Sequence, residues 1–220
     1  MVTDLRCKQK NYRGLFYKMI DTTTTCWKEL HELPSVPSQF EQQFTKHPDL
    51  PLFLTWAESN RTITKPNGTS VSNINYSRLK ISKELEEWVQ TNICSEFIHA
   101  AISVSDPGGV TDTHGPHVDG SRDVTLMWIH DTGGPAVDTV FWEVLNEPLV
   151  SESRGKWLDT YKNLKEYTRV RFRPHTWYLL NTRIMHSVEN LQSPRIVLQV
   201  SLGYEDLKHI RMSVHDMNTK

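Results

Sequence analysis

Cysteine is scarce in this chain: Cys7, Cys26 and Cys94 are odd in number, widely spread and form no C-x-x-C pair. That pattern argues against a disulfide framework and suits a reducing compartment in which the thiols are buried and structural. A charge bias is missing as well. Lys plus Arg number 25 against 26 Asp plus Glu, so the bulk charge gives no reason to expect nucleic acid or a membrane surface as the main partner, leaving only local patches. No apolar run is long enough to span a bilayer. Met1 to Lys18 scatters Asp4, Arg6, Lys8, Lys10 and Arg13 among isolated apolar residues, unlike the continuous apolar stretch of a signal peptide. A cytoplasmic protein is therefore expected, and the N-x-S/T sequons at Asn60, Asn67 and Asn75 read as polar loop composition. Repeats and low-complexity segments are also lacking. The 220 residues fit one domain, 1–220, large enough to bury a core without disulfides or a structural metal.

What is present divides into a helical first part and a β-rich remainder. Asp21 is a plausible N-cap for a helix to Leu33, with Cys26, Trp27, Leu30 and Leu33 near helical spacing and Pro34 ending it. A short helix carrying Phe40 and Phe44 follows Ser38. Leu52 to Trp56 reads as a buried strand, and the Asn-, Ser-, Thr- and Gly-rich stretch from Asn60 to Ser77 as loop. Ser82 caps an amphipathic helix whose stripe is Leu85, Trp88, Val89 and Ile93. From Phe97 onward, short strands alternate with turn clusters such as Asp106-Pro107-Gly108-Gly109 and Asp131-Thr132-Gly133-Gly134-Pro135. Further strands are expected at Val137–Val144, Thr168–Phe172, Thr176–Leu180 and Arg195–Gly203. The pattern is mainly β (α+β): an antiparallel sandwich or barrel with helices on one outer face.

The chemistry concentrates in the second half. His117 and Asp119 are two apart and share a face in extended chain, so they can bind one metal ion together, with His186 as third ligand. Two imidazoles and a carboxylate on one side of a metal leave open positions opposite, which suits non-haem Fe(II) working on O2. On the last strand, Ile196, Leu198, Val200 and Leu202 share an aliphatic face. Arg195, Val197, Gln199 and Ser201 share the other, so Arg195 points between sheets, where a guanidinium is costly to bury unless an anion meets it. His114 competes with His117 for the ligand role but has no carboxylate two positions on, and reads as an entrance or exposed residue.

These residues resemble the 2-oxoglutarate and Fe(II)-dependent oxygenases. The resemblance runs through His117-Val118-Asp119-Gly120, the stretch Asn181 to Asn190 around His186, and Arg195 to Leu202, in order and spacing over roughly the C-terminal half. It implies a double-stranded β-helix, or jelly-roll, core over 96–205, with 1–95 as helical support packed on one outer face and 206–220 as a tail. It implies that His117, Asp119 and His186 hold Fe(II) and that Arg195 pairs with the distal carboxylate of 2-oxoglutarate. O2 is then the second co-substrate, ascorbate an expected stimulant, and succinate and CO2 the co-products of hydroxylation. Asp119 favours oxygen insertion over halogenation, because the halogenating relatives carry a small residue there. Where the family often has a hydroxyl two residues after the arginine, this chain has Val197. Thr125, Tyr178 and Ser187 are candidate replacements, and Arg122 and Arg183 are candidate substrate or co-substrate contacts. Two alternatives stand beside this reading: a cupin-type metalloenzyme that does not use 2-oxoglutarate, and a jelly-roll binding module without catalysis. The expected substrate is a small molecule, an amino acid or a peptidyl side chain.

Overall fold

In the computed structural model, which describes residues 21–56, 62–108 and 112–211, alternation rather than helical periodicity organises most of the chain. In the N-terminal part lie β1 (Trp27–Glu29), β2 (Leu52–Trp56), β3 (Thr62–Thr64), β4 (Ser70–Ser72) and β5 (Asn75–Leu79). The remainder carries β6 (His99–Asp106), β7 (His114–His117), β8 (Val124–Asp131) and β9 (Asp138–Val144). It ends with β10 (Leu164–Val170), β11 (Trp177–Asn181), β12 (Met185–Glu189) and β13 (Arg195–Leu202). A major sheet has the order β1-β11-β8-β13-β6-β5-β2 and a minor sheet β10-β9-β12-β7, with β3 and β4 forming a separate hairpin. All strand pairs in these sheets are antiparallel. The result is a double-stranded β-helix core.

The alternation of β13 divides the molecule. Ile196, Leu198, Val200 and Leu202 face an outer layer built from Leu30, Leu33, Phe40, Phe44 and the helical stripe Leu85, Val89 and Ile93. Val197, on the opposite face, packs with Met127, Ile129, Phe141 and Tyr178 between the sheets. The helices here are α1 (Glu41–Thr45) and α2 (Lys83–Asn92). Ser82 caps α2 as its composition suggests, its hydroxyl accepting from the Leu85 N–H at 3.2 Å, with Glu84 and Glu86 in the positive first turn. Phe44 is fully buried and lies 5.1 Å from the Trp128 ring and 4.8 Å from that of His130. Phe44→Ala is expected to cost about 3–5 kcal/mol, because it opens a cavity in the layer joining α1 to the major sheet. Chemical denaturation should show this as a lower midpoint with an unchanged slope.

Two N-terminal expectations are corrected. No helix runs from Asp21 to Leu33: Asp21 caps a turn through its carboxylate, and Trp27–Glu29 pairs with Tyr178–Leu180 at the edge of the major sheet. Trp27 packs beside the inter-sheet cluster while Leu30 and Leu33 enter the outer one, so edge pairing overrides the approximate helical spacing. The expected loop to Ser77 holds the β3–β4 hairpin and most of β5, with Asn67-Gly68 at the hairpin turn and Gly68 at φ 85°. Leu52–Trp56 is a strand, but an edge one, with Leu52 and Phe53 exposed rather than buried. Cys26 and Cys94 are buried, and burial pushes their thiols up to about 12 and about 11, as inert structural thiols require. Cys7, the Met1–Lys18 segment, the Asn60 sequon, Gly109 and the tail from 212 lie outside the described residues. Among the described residues no helix is long and apolar enough to cross a membrane.

Candidate metal centre and anion site

The minor sheet presents the candidate ligands. His117 ends β7 and is paired in register with His186 on β12, so the two imidazoles are cross-strand neighbours, their ring centres 4.3 Å apart. Asp119 follows just beyond β7, its N–H donating to the Thr182 carbonyl at 3.1 Å. One ligand atom from each of His117, Asp119 and His186 lies within 4.8 Å of the others. His186 lies on β12, a strand absent from those the sequence predicts. That strand is short and polar, which hides its alternation.

The protonation pattern around the three donors is fixed by their partners. Nδ1 of His117 meets the Gly115 carbonyl at 2.8 Å and Nδ1 of His186 meets the Ile184 carbonyl at 2.9 Å. A carbonyl oxygen only accepts, so each Nδ1 carries the proton and each Nε2 carries the lone pair. Burial lowers both imidazoles below their ordinary range, keeping them neutral and able to ligate. Burial alone would raise Asp119, but Arg122 first, then His186 and His117, outweigh it and hold the carboxyl well below the usual carboxylate range. Arg122 donates from Nε and Nη2 to one oxygen of Asp119, Oδ2, at 2.7 Å each. Oδ1 is left facing His117 Nε2 at 3.6 Å. The far side of the guanidinium is tied to Gln199 Oε1 and Ser201 Oγ, both at 3.1 Å. Arg122, a candidate substrate or co-substrate contact by sequence, is a buried clamp on Asp119. Neutral imidazoles, an ionised carboxylate and this spacing fit a divalent metal bound from one side.

The donors open into a cavity of about 190 Å³ between the sheets. Arg195 enters it from the start of β13 and is buried; its Nη1 donates to Thr139 Oγ1 at 3.1 Å, and its guanidinium lies 5.5 Å from the Phe172 ring centre. Among the described residues no carboxylate pairs with it, and burial lowers it to about 10. The hydroxyl beside the arginine comes from β9, a strand of the opposite sheet. Thr125, Tyr178 and Ser187 do not supply it: Thr125 bonds the Val200 carbonyl, Tyr178 accepts from the Arg173 N–H, and Ser187 donates to Glu189. Arg183 also turns away, donating to the carbonyls of Ser151 and Glu152. None of these four lines the cavity, whereas Arg122, Val197 and Arg195 do.

Several wall residues have no local signal in the sequence: Tyr76 and Arg78 on β5, Thr139 and Trp157, whereas Gln199 lies on the face of β13 that the alternation assigns to it. His114 is buried in the wall rather than exposed, stacked 4.5 Å from His117, while Trp157 stacks on His117 at 4.1 Å and 9° and lies 5.3 Å from His114. A helpful signal was the alternation Tyr76, Arg78 next to the polar face of β6, but it becomes visible only once β5 is recognised as a strand.

No protein-family model matches the sequence, and no curated protein matches it. Among solved structures, the chain is similar to SnoK from nogalamycin biosynthesis, a non-heme alpha ketoglutarate dependent carbocyclase, with 11% identity over 90% of this chain and 89% of that one, TM-score 0.44. A Pseudomonas putida prolyl-4-hydroxylase shares 10% identity over 86% of this chain and 99% of its own, TM-score 0.43. The cupin domain of Drosophila melanogaster CENP-C shares 11% over 74% and 93%, TM-score 0.35.

Proposed function

We propose that the protein is an Fe(II)- and 2-oxoglutarate-dependent oxygenase that hydroxylates a small-molecule, amino-acid or peptidyl substrate. The observation that supports this reading is the pairing, in one cavity, of a three-donor metal site with a buried guanidinium that has a hydroxyl beside it and no carboxylate. Iron bound there supplies O2 activation coupled to decarboxylation of 2-oxoglutarate, with succinate and CO2 as co-products. The chain's own part is positioning. Thr139 pairs with Val188, two residues along β12 from His186. The anion site is thus offset from the ligand row by about 7 Å of strand, a span suited to a five-carbon dicarboxylate. Arg195 and Thr139 receive the distal carboxylate, the paired guanidinium donors fixing its orientation. The Gly115 and Ile184 carbonyls hold the histidine tautomers, and Trp157 and His114 hold the plane of the His117 ring.

The test is succinate formation from 2-oxoglutarate with Fe(II) and ascorbate, together with calorimetric titration of 2-oxoglutarate into metal-loaded protein. Binding and succinate release are expected; metal binding without any 2-oxoglutarate binding would instead identify a cupin-type metalloenzyme. Arg122→Met, which releases Asp119 Oδ2, is expected to weaken metal affinity by roughly 10–100-fold, the usual cost of losing an outer partner of a ligand. A Co(II) absorbance titration checks it, and unchanged affinity would show that Asp119 is oriented by its backbone alone.

A further inference from the structure

The same cavity contains a third buried guanidinium, which the reading above leaves without a task. Arg78 projects from β5 on the same side of the strand as Tyr76, facing Ser103 and Ser105 of β6 across the ladder. Its Nε donates to the Tyr76 hydroxyl at 3.0 Å and its Nη1 lies 3.4 Å from His99 Nε2. Both partners are formally neutral. Among the described residues no carboxylate forms an ion pair with Arg78, and Nη2 has no hydrogen-bond acceptor. Burying a guanidinium with such partners is costly unless an anion arrives.

That anion is distinct from the one at Arg195. β5 and β13 are separated by β6, so the two arginines stand on strands about 10 Å apart. Charge points the same way. Of the three buried guanidiniums on this wall, only Arg122 has a carboxylate in contact, Asp119, whose charge also reaches Arg78 at longer range; a divalent metal and a 2-oxoglutarate dianion offset each other, which leaves Arg78 and Arg195 without a contacting counter-ion from the chain. Tyr76 reports the excess: burial would raise its hydroxyl, yet Arg78 and then Arg122 lower it below its ordinary value. A second observation independently marks the spot. His114 Nε2 is buried without a hydrogen-bond partner, and its ring lies 5.2 Å from that of Tyr76, which in turn lies 5.7 Å from the Arg78 guanidinium carbon. An imidazole nitrogen left so is costly until a ligand group meets it.

We infer that the substrate carries a carboxylate, received on the Tyr76–Arg78–His114 wall by Arg78 Nη2, with His114 Nε2–H donating a second hydrogen bond. The inference rests on the proposed function for what else occupies the cavity, and it names the class of substrate for that site. A carboxylate fits better than a doubly charged group because two of the guanidinium's three nitrogens are already engaged. The rest of the substrate then extends from Arg78 toward the open side of His117, Asp119 and His186.

Matched acid and amide probes test this: N-acetylglycine against N-acetylglycinamide, and 3-phenylpropionate against 3-phenylpropionamide. They are titrated into Zn(II)-loaded protein saturated with 2-oxoglutarate and followed by ligand-observed NMR. Wild-type protein is expected to bind each acid at least about tenfold more tightly than its amide, as a charged hydrogen bond in a buried site implies. In Arg78→Met that preference should fall below about twofold, with Arg78→Lys intermediate, while the 2-oxoglutarate Kd shifts far less than in Arg195→Met. Zn(II) and 2-oxoglutarate binding by each variant shows that it is folded. An acid preference that survives Arg78→Met, an absence of preference in wild type, or displacement of 2-oxoglutarate by the acids would overturn the proposal. If 2-oxoglutarate itself does not bind, the co-substrate reading has failed separately. The acid–amide comparison is then made in Zn(II)-loaded Arg195→Met protein, where preference that depends on Arg78 still supports the subsite and its absence overturns it.

Discussion

Asp119→Ala should eliminate both metal retention and succinate formation. Losing an outer partner of a metal ligand typically costs up to about 100-fold in affinity, and removal of one of only three ligands exceeds that, so turnover should fall below about a hundredth of wild type. The alanine also strands Arg122. With Oδ2 gone, that guanidinium keeps Gln199 and Ser201 as neutral partners in a buried setting, and an orphaned buried charge costs about 3–5 kcal/mol. Lost activity alone would therefore not distinguish a lost ligand from a loosened fold. Asp119→Asn separates the two: an amide oxygen can still accept from Arg122, so the fold should be retained while the anionic ligand is lost. Co(II) absorbance and thermal unfolding, measured on both variants, give the answer. Wild-type metal affinity in Asp119→Asn with full succinate release would remove Asp119 from the ligand set.

Two of the three candidate donors and the arginine beside them have local signatures in the sequence. His117 and Asp119 share a face by their spacing, and the alternation of Arg195 to Leu202 separates an aliphatic side from the side that carries Arg195. The structure brings His117, Asp119, His186 and Arg195 to one cavity. Other parts of the site depend on register between strands distant in sequence. Thr139 meets Arg195 across 56 positions of chain, and no local pattern marks Thr139 among the hydroxyls of the β segments. Thr125 shows the limit well: it lies on the inner face of β8 with Met127 and Ile129, yet its hydroxyl is bonded to the Val200 carbonyl and it sits too far along the strand to line the cavity. Arg78 and Tyr76 were hidden differently. They lie in a stretch whose Asn, Ser, Thr and Gly content suggests loop, although its polar alternation is what an inward-facing wall of a binding cavity needs. The first strand looks helical in sequence because Cys26, Trp27, Leu30 and Leu33 satisfy helical spacing approximately while serving two different clusters.

For Arg195→Met, stability and binding should move in opposite directions. Truncating one partner of a buried charged pair costs about 2–5 kcal/mol, so 2-oxoglutarate affinity should fall roughly 30-fold to several thousand-fold. Lysine should recover only part of this, because a point charge cannot present the guanidinium's two parallel donors while also reaching Thr139. In the absence of 2-oxoglutarate the same arginine is a liability. It is buried beside Phe172 with no counter-ion among the described residues, and burial alone draws it down to about 10. An apolar side chain of similar length removes that desolvation cost, and exchanges of this kind are neutral or stabilising by about 1–4 kcal/mol. Arg195→Met should therefore unfold at a temperature equal to or above that of wild type in the apo form, and lose the further increase that 2-oxoglutarate gives the metal-loaded wild type. Calorimetric titration and thermal unfolding with and without 2-oxoglutarate measure both halves. A destabilised apo variant would mean that Arg195 is a structural residue held by Thr139. Undiminished 2-oxoglutarate affinity would move the co-substrate's anion site to the other uncompensated guanidinium in the cavity, Arg78, and would exchange the roles assigned to the two ends of the wall.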